Sequence, residues 1–135
     1  MNLEDVKNFI KEVRWGTLAT TDGRRVGARP MGGLAWHQNQ LWCATTTASD
    51  KVAQLKKVPY AEYCFCDSSG RHVRIAGPCS ISIDNDEKRW LYDAVPELKN
   101  HIHDPASRDY VVIKMKPDNI RVMNPNFMYE PVEID

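Results

Sequence analysis

Short runs rich in β-branched and aromatic residues recur along this chain, and brief polar stretches of turn chemistry separate them, a pattern best satisfied by strands joined as hairpins. Residues 15–22, WGTLATTD, alternate Leu18 with polar neighbours, and Asp22-Gly23 after them is a hairpin turn signal. Residues 25–36 return as a strand interrupted by Pro30 and by Gly32-Gly33. Proline donates nothing to a sheet ladder and glycine has no side chain to pack, so a bulge or a free edge is expected there. The polar turn His37-Gln38-Asn39-Gln40 leads into an apolar strand over 41–45. Strands are also expected over 60–67 and 72–83, joined by Ser68-Ser69-Gly70, and over 110–115 and 119–123. About six strands in sequential hairpins, with few places for parallel crossovers, point to a mainly β fold: a small closed or nearly closed antiparallel barrel.

Helices flank this sheet. Asn2 is placed to cap a helix running to about residue 13, in which Val6, Phe9, Ile10 and Val13 form one apolar face. A second helix over 50–57 turns Val52 and Leu55 inward, with Val58 following, and ends at Pro59. Asp84 or Asn85 caps a third, charged helix over 86–94, and Pro96-Glu97-Leu98 starts a short extension. The last residues, FMYEPVEID, read as an irregular tail.

A chain of 135 residues is expected to form one domain with a single core, spanning 1–135. Its 18 basic and 18 acidic residues cancel, which disfavours bulk attraction to nucleic acid or to anionic membrane. The first residues, MNLEDVKNFIKEV, carry early acids and no long apolar core, so neither a secretory signal nor a membrane span is expected and the location is cytoplasmic. Cys43, Cys64, Cys66 and Cys79 lie in or beside strand-like runs without a CxxC pair, which suggests reduced, largely buried thiols rather than a metal site. His101 and His103, in a polar segment, read as exposed loop histidines.

The chemistry concentrates at 45–51. Thr45, Thr46, Thr47 and Ser49 present four hydroxyls at the end of a strand, and Ser49 is an N-cap candidate for the helix that follows. Two roles suit such a junction. The hydroxyls cap a surface helix, or, with Lys51 and with Arg29 from the preceding strand, they join the unpaired N–H groups of the helix start in holding a phosphate.

The order of GTLATTDG, VGARPM, LWCATTTASDKVAQLKKVPYAEYCF and VRIAGPCSIS, followed by an acidic helix, resembles the FMN-binding split-barrel family typified by pyridoxamine 5'-phosphate oxidase, in particular its short general-stress-protein-like members. That resemblance implies a six-stranded antiparallel split barrel of Greek-key type and flavin mononucleotide (FMN) as cofactor. It implies that Arg29, Ser49 and Lys51 hold the FMN phosphate, with Thr45 and Thr46 adding hydrogen bonds, and that Pro30, Met31 and Gly32 run along the isoalloxazine ring. Met31 and Trp42 are also natural core residues.

Family likeness further implies a homodimer with flavin sites between subunits and an FMN-dependent oxidoreductase of unknown substrate. Trp90, Tyr92, Phe127 and Tyr129 are interface candidates, and no residue is required as an acid or base, although His37, Tyr63 and His72 carry transferable protons. Alternatives within the same fold are a non-catalytic flavin-binding stress protein and a haem or deazaflavin binder. The oxidases of the family end in an arginine-bearing segment that grips the substrate phosphate. Here Arg121 is the last basic residue, so a vitamin B6 phosphate is not the expected substrate.

Overall fold

The computed structural model describes residues 1–134. Helix α1 (Leu3–Val13) opens with a reciprocal cap in which the Asn2 side chain accepts from the Asp5 N–H and the Asp5 carboxylate accepts from the Asn2 N–H, each at 2.9 Å. Strands β1 (Gly16–Thr21) and β2 (Val26–Met31) form the first hairpin across Asp22-Gly23. Strands β3 (Leu34–His37) and β4 (Gln40–Thr46) form the second, with Gln38 and Asn39 both left-handed in the turn, as a tight two-residue connection requires. Helix α2 (Asp50–Lys57) follows, then β5 (Tyr60–Cys66) and β6 (His72–Ser82). Helix α3 (Asn85–Ala94), a 3-10 turn (Pro96–Asn100), β7 (Tyr110–Met115), β8 (Asn119–Met123) and β9 (Tyr129–Pro131) complete the order.

The sheet runs β2-β1-β5-β6-β7-β4-β3, every pairing antiparallel, with β8 on β6 and β9 on β8. This is a split barrel with nine strands among the described residues, where the sequence suggests six. Two differences account for part of the count. The expected strand over 25–36 is two strands: β2 pairs with β1 and β3 with β4, and the chain passes between them at Gly32-Gly33, where Gly33 takes a left-handed φ of 64°. The tail is not irregular throughout, since Tyr129–Pro131 pairs with β8; Asp135 lies outside the described residues. Pro30 is tolerated because β2 ends the sheet path and its outer edge needs no donor.

The long strand β6 joins the two halves. Residues 73–76 pair with β8 and residues 79–82 pair with β7, so the strand changes partner at Gly77-Pro78. The β7–β8 connection crosses that point, with the Lys116 N–H donating to the Pro78 carbonyl at 2.9 Å and the Asp118 N–H to the Ala76 carbonyl at 3.0 Å.

Leu18, Leu41, Tyr63, Phe65, Ile75, Ile113 and Met115 fill the barrel, and Val6, Phe9 and Ile10 of α1 join the same cluster. A second apolar layer lies across β4 and β7, where Trp42, Tyr110 and Val112 meet Leu91 and Val95 of α3 and Leu98 of the 3-10 turn. Strands β4 and β7 are therefore buried on both faces, which is why their sequences read as continuous apolar runs. Among the described residues no helix is long and apolar enough to cross a membrane.

All four cysteines are free, but only Cys43 and Cys79 are buried; Cys66 is exposed and Cys64 half-buried. Burial pushes the Cys43 thiol up to about 11 and the Cys79 thiol up to about 12, and it raises Cys64 as well. Thiolate is the reactive form. A thiol-specific disulfide reagent at neutral pH should therefore label Cys66 fast and Cys64 slowly, with Cys43 and Cys79 reacting only after denaturation. Peptide mapping of the labelled protein checks the order, and rapid labelling of Cys43 in the native protein would contradict the packing described.

Candidate functional site

The glycine crossing between β2 and β3, the end of β4 and the start of α2 converge on a cleft of about 680 Å³. Pro30, Met31 and Gly32 form one wall, Thr45, Thr46 and Lys51 another. Leu98 of the 3-10 turn and the segment 101–110 close a third side. Six of the eight residues singled out in the sequence thus share one cavity. Met31 serves the core as well, being almost wholly buried.

Ser49 occupies the N-cap position of α2 with extended backbone, but its side chain makes no capping hydrogen bond. Its Oγ lies 3.4 Å from Thr45 Oγ1, and only its backbone carbonyl engages the helix, accepting from the Ala53 N–H at 3.3 Å. The capping role is therefore not taken up by the hydroxyl, and the first N–H groups of α2 keep their capacity for an acceptor. Thr47 is used differently: its N–H and Oγ1 donate to the Asp109 and Arg108 carbonyls at 2.9 and 2.5 Å and tie the 101–109 segment to β4.

Arg29 stands beside the cleft rather than in its lining. Its Nη1 donates to Thr20 Oγ1 at 2.6 Å and to the Leu18 carbonyl at 3.3 Å, and its Nη2 to Gln54 Oε1 at 3.4 Å. Thr20 itself donates to Gln54 Oε1, so β1, β2 and α2 jointly fix the guanidinium. A β-carbon at Gly27, two residues back on the same strand face, would meet that guanidinium and displace it from its hydrogen bonds. Burial lowers the pKa of Arg29, with Asp50 opposing. Burial also lowers that of Lys51, with the charge of Arg29 adding to the effect and Asp50 again opposing. Neither cation forms an ion pair among the described residues. Two partly desolvated cations that repel each other, next to an open helix N-terminus, concentrate positive potential at this end of the cleft.

Sequence reasoning did not place Trp15, His101, His103, Asp109 or Tyr110 at this cleft, yet all five line it. The two histidines are exposed, as expected, but their loop folds over the site. Lys88 of α3 helps hold that loop: it is only 3% exposed, and its Nζ donates to the Ser107 carbonyl at 2.7 Å. The residues considered as proton carriers lie elsewhere. His37 stacks on Trp90 at 3.5 Å, the buried Tyr63 hydroxyl contacts Cys43 Sγ at 3.1 Å, and His72 Nε2 is 2.7 Å from the Tyr129 hydroxyl. Among the described residues no cluster of His, Cys, Asp or Glu is arranged to hold a metal.

Comparison with known proteins agrees with this fold. Similar solved structures include a NimC/NimA family protein from Clostridium acetobutylicum, 20% identical with a TM-score of 0.85, covering 97% of this chain and 91% of that one. General stress protein 26 from Bacillus anthracis is 21% identical with a TM-score of 0.73 over 94% and 98% of the two chains. A structure described as an F420 reductase is 22% identical with a TM-score of 0.66 over 84% and 94%. Comparison with curated protein sequences gives no match. The family model described as pyridoxamine 5'-phosphate oxidase matches residues 3–124. That span runs from the first residue of α1 past the end of β8 and contains every residue that walls the cleft, and by it the chain belongs to the pyridoxamine 5'-phosphate oxidase family.

Proposed function

We propose that the cleft binds FMN and that the protein is an FMN-dependent oxidoreductase acting as a homodimer. The observation that carries this reading is the pair Arg29 and Lys51, close enough to repel each other and in an ion pair with no carboxylate among the described residues, beside the open start of α2. A phosphomonoester brings about 1.5–2 negative charges at neutral pH and three strong acceptor oxygens, which suit two cations, the Ser49, Thr45 and Thr46 hydroxyls and the first N–H groups of α2. The cleft falls within the ordinary range for small-ligand sites, roughly 300–1,000 Å³, and Pro30, Met31, Gly32 and Leu98 give its lining an apolar part.

When bound, FMN supplies the two-electron redox chemistry that side chains lack. The chain's own residues bind and orient. Arg29 and Lys51 neutralise the phosphate, Gly32 and Gly33 allow the backbone close to a flat ring, and the 101–109 segment limits access of water. Phe127 and Met128, 82% and 65% exposed at the β8–β9 turn, are large apolar side chains of the kind a second copy covers. A deazaflavin nucleotide shares the phosphate and the ring, and the mass of the copurifying chromophore distinguishes it. A yellow protein whose chromophore has the mass of FMN and is bleached by NADPH supports the proposal; a colourless protein that takes up no added FMN refutes it.

Affinity should also depend on pH in a defined direction. In the free protein the pKa of Lys51 is lowered, and a bound phosphate stabilises the ammonium and raises it again. Binding therefore takes up a proton at alkaline pH, and FMN affinity falls as pH rises through the free-protein value, which lies below the ordinary 10.5. On the acid side, affinity falls as the phosphate loses its second charge near pH ~6. Flavin fluorescence titrations across this range should show a plateau flanked by two declines; riboflavin, with the same ring ionisation but no phosphate, should show no acid decline and a shallower alkaline one. An FMN profile that stays flat on the alkaline side would exclude Lys51 as a phosphate contact.

A further inference from the structure

A second groove, of about 740 Å³, lies on the α1 side of the glycine crossing and shares Trp15, Gly32, Gly33 and Glu97 with the first. Trp15 is 61% exposed, unusual for an indole with no evident partner. Its position is nevertheless set. Arg14 reverses the chain with a left-handed φ of 70° and returns its N–H to the Ile10 carbonyl at 2.9 Å, so two residues alone connect α1 to β1. The indole then lies on Gly32, where a β-carbon would stand 2.9 Å from Cη2 and Cζ3. Trp36 provides a second aromatic wall, with Lys7 Nζ 5.4 Å from its ring centroid. Lys7, Lys11 and Arg14 bring three positive charges to the lining, against the two carboxylates of Glu4 and Glu97. Only Lys7 has an acidic neighbour within pairing distance, Glu4 at a marginal 4.0 Å; Lys11 and Arg14 form no ion pair among the described residues.

We propose that this groove binds a planar aromatic anion, with its ring against Trp15 and its acidic group among Lys7, Lys11 and Arg14. An aromatic ring gains from stacking on an indole, and an excess of cations at the rim selects a carboxylate, sulfonate or phosphate over its neutral counterpart. A ligand seated there reaches Gly32 and Gly33, which also border the proposed flavin cleft. The binding follows from the groove alone; the meeting of ligand and cofactor rests on the flavin reading.

Two probes of one shape separate these points. Protein loaded with FMN is titrated calorimetrically with 4-nitrobenzoate and with the neutral 4-nitrobenzamide. The acid should bind about fivefold more tightly than the amide. The double variant Lys11→Ala/Arg14→Ala should abolish that preference while leaving FMN affinity unchanged, and Trp15→Ala should weaken both probes by about fivefold. Equal binding of the two probes, or an unaltered affinity in Trp15→Ala, overturns the proposal. So does protection of Lys7 and Lys11 from acetylation by a second copy of the chain, which would make the groove an interface. Absence of probe binding to the FMN-loaded protein overturns the groove proposal and leaves the flavin reading intact. If FMN fails to bind while 4-nitrobenzoate keeps its preference, the flavin reading falls and the groove stands.

Discussion

Gly77→Ala should be among the most damaging single substitutions in this protein, destabilising it by about 3 kcal/mol or more and leaving much of the chain unfolded or aggregated on expression. A methyl group built on Gly77 would overlap the backbone carbonyl of Lys116. Main chain meets main chain there, so no side chain can rotate away to make room. The alternative is to push the β7–β8 connection off β6, which breaks the Lys116–Pro78 and Asp118–Ala76 hydrogen bonds at the one place where β6 passes from one partner to the other. Gly23→Ala is the natural control. Unlike Gly77 it sits at a positive φ, 96°, but nothing lies within 4 Å of its added carbon, so only the conformational strain of about 1 kcal/mol is expected. Denaturant unfolding of both variants tests the comparison. Similar midpoints would show that the β7–β8 connection yields easily.

If the cleft holds FMN as proposed, Lys51→Ala should weaken its binding by about 1.5–3 kcal/mol, roughly 10- to 150-fold, through loss of a charge-assisted partner of the phosphate. Arg29→Ala should lose a similar amount, by a route that partly differs. Arg29 also donates to Thr20, to Leu18 and to Gln54, so its removal loosens the β1–β2–α2 junction as well as deleting a charge. Riboflavin separates the two contributions. Lacking the phosphate, it should bind the native protein far more weakly than FMN and should lose little further in Lys51→Ala. A further loss in Arg29→Ala would report the disturbed junction. Equal affinity of the native protein for FMN and riboflavin would show that the hydroxyl and lysine cluster holds no phosphate.

The clustering at the candidate site was partly legible because its polar residues are close in sequence. Thr45, Thr46, Ser49 and Lys51 fall within seven consecutive residues, and a strand end followed by a helix start brings them together whatever the rest of the chain does. The residues that escaped notice belong to distant segments. His101 and His103 sit in a loop without periodicity, and nothing in NHIHD says that Lys88 and Thr47 fold it over the cleft. Trp15 gave no signal beyond being an aromatic between a helix and a strand. Gly27 carries no local signal that the Arg29 guanidinium occupies its side-chain space.

Hairpins and helices follow the same division. Asp22-Gly23, Ser68-Ser69-Gly70 and the Asn2 cap act over two to five residues, so the sequence alone determined the β1–β2 and β5–β6 turns and the start of α1. It also determined the apolar stripe of α1 and the apolar character of β4, because those depend on which side chains avoid water; that α3 and the 3-10 turn cover the second face of β4 and β7 is a tertiary outcome. Tertiary structure alone decided that the expected 25–36 strand divides between two parts of the sheet, that YEP in the tail pairs with β8, and that β6 serves two sets of partners. The partners of β6 lie far along the chain, and in every one of these ladders the backbone N–H and C=O groups are chemically alike at each residue. Local preference does not distinguish among such partners, and the choice falls to the arrangement that closes the core around Leu18, Tyr63, Ile75 and Ile113.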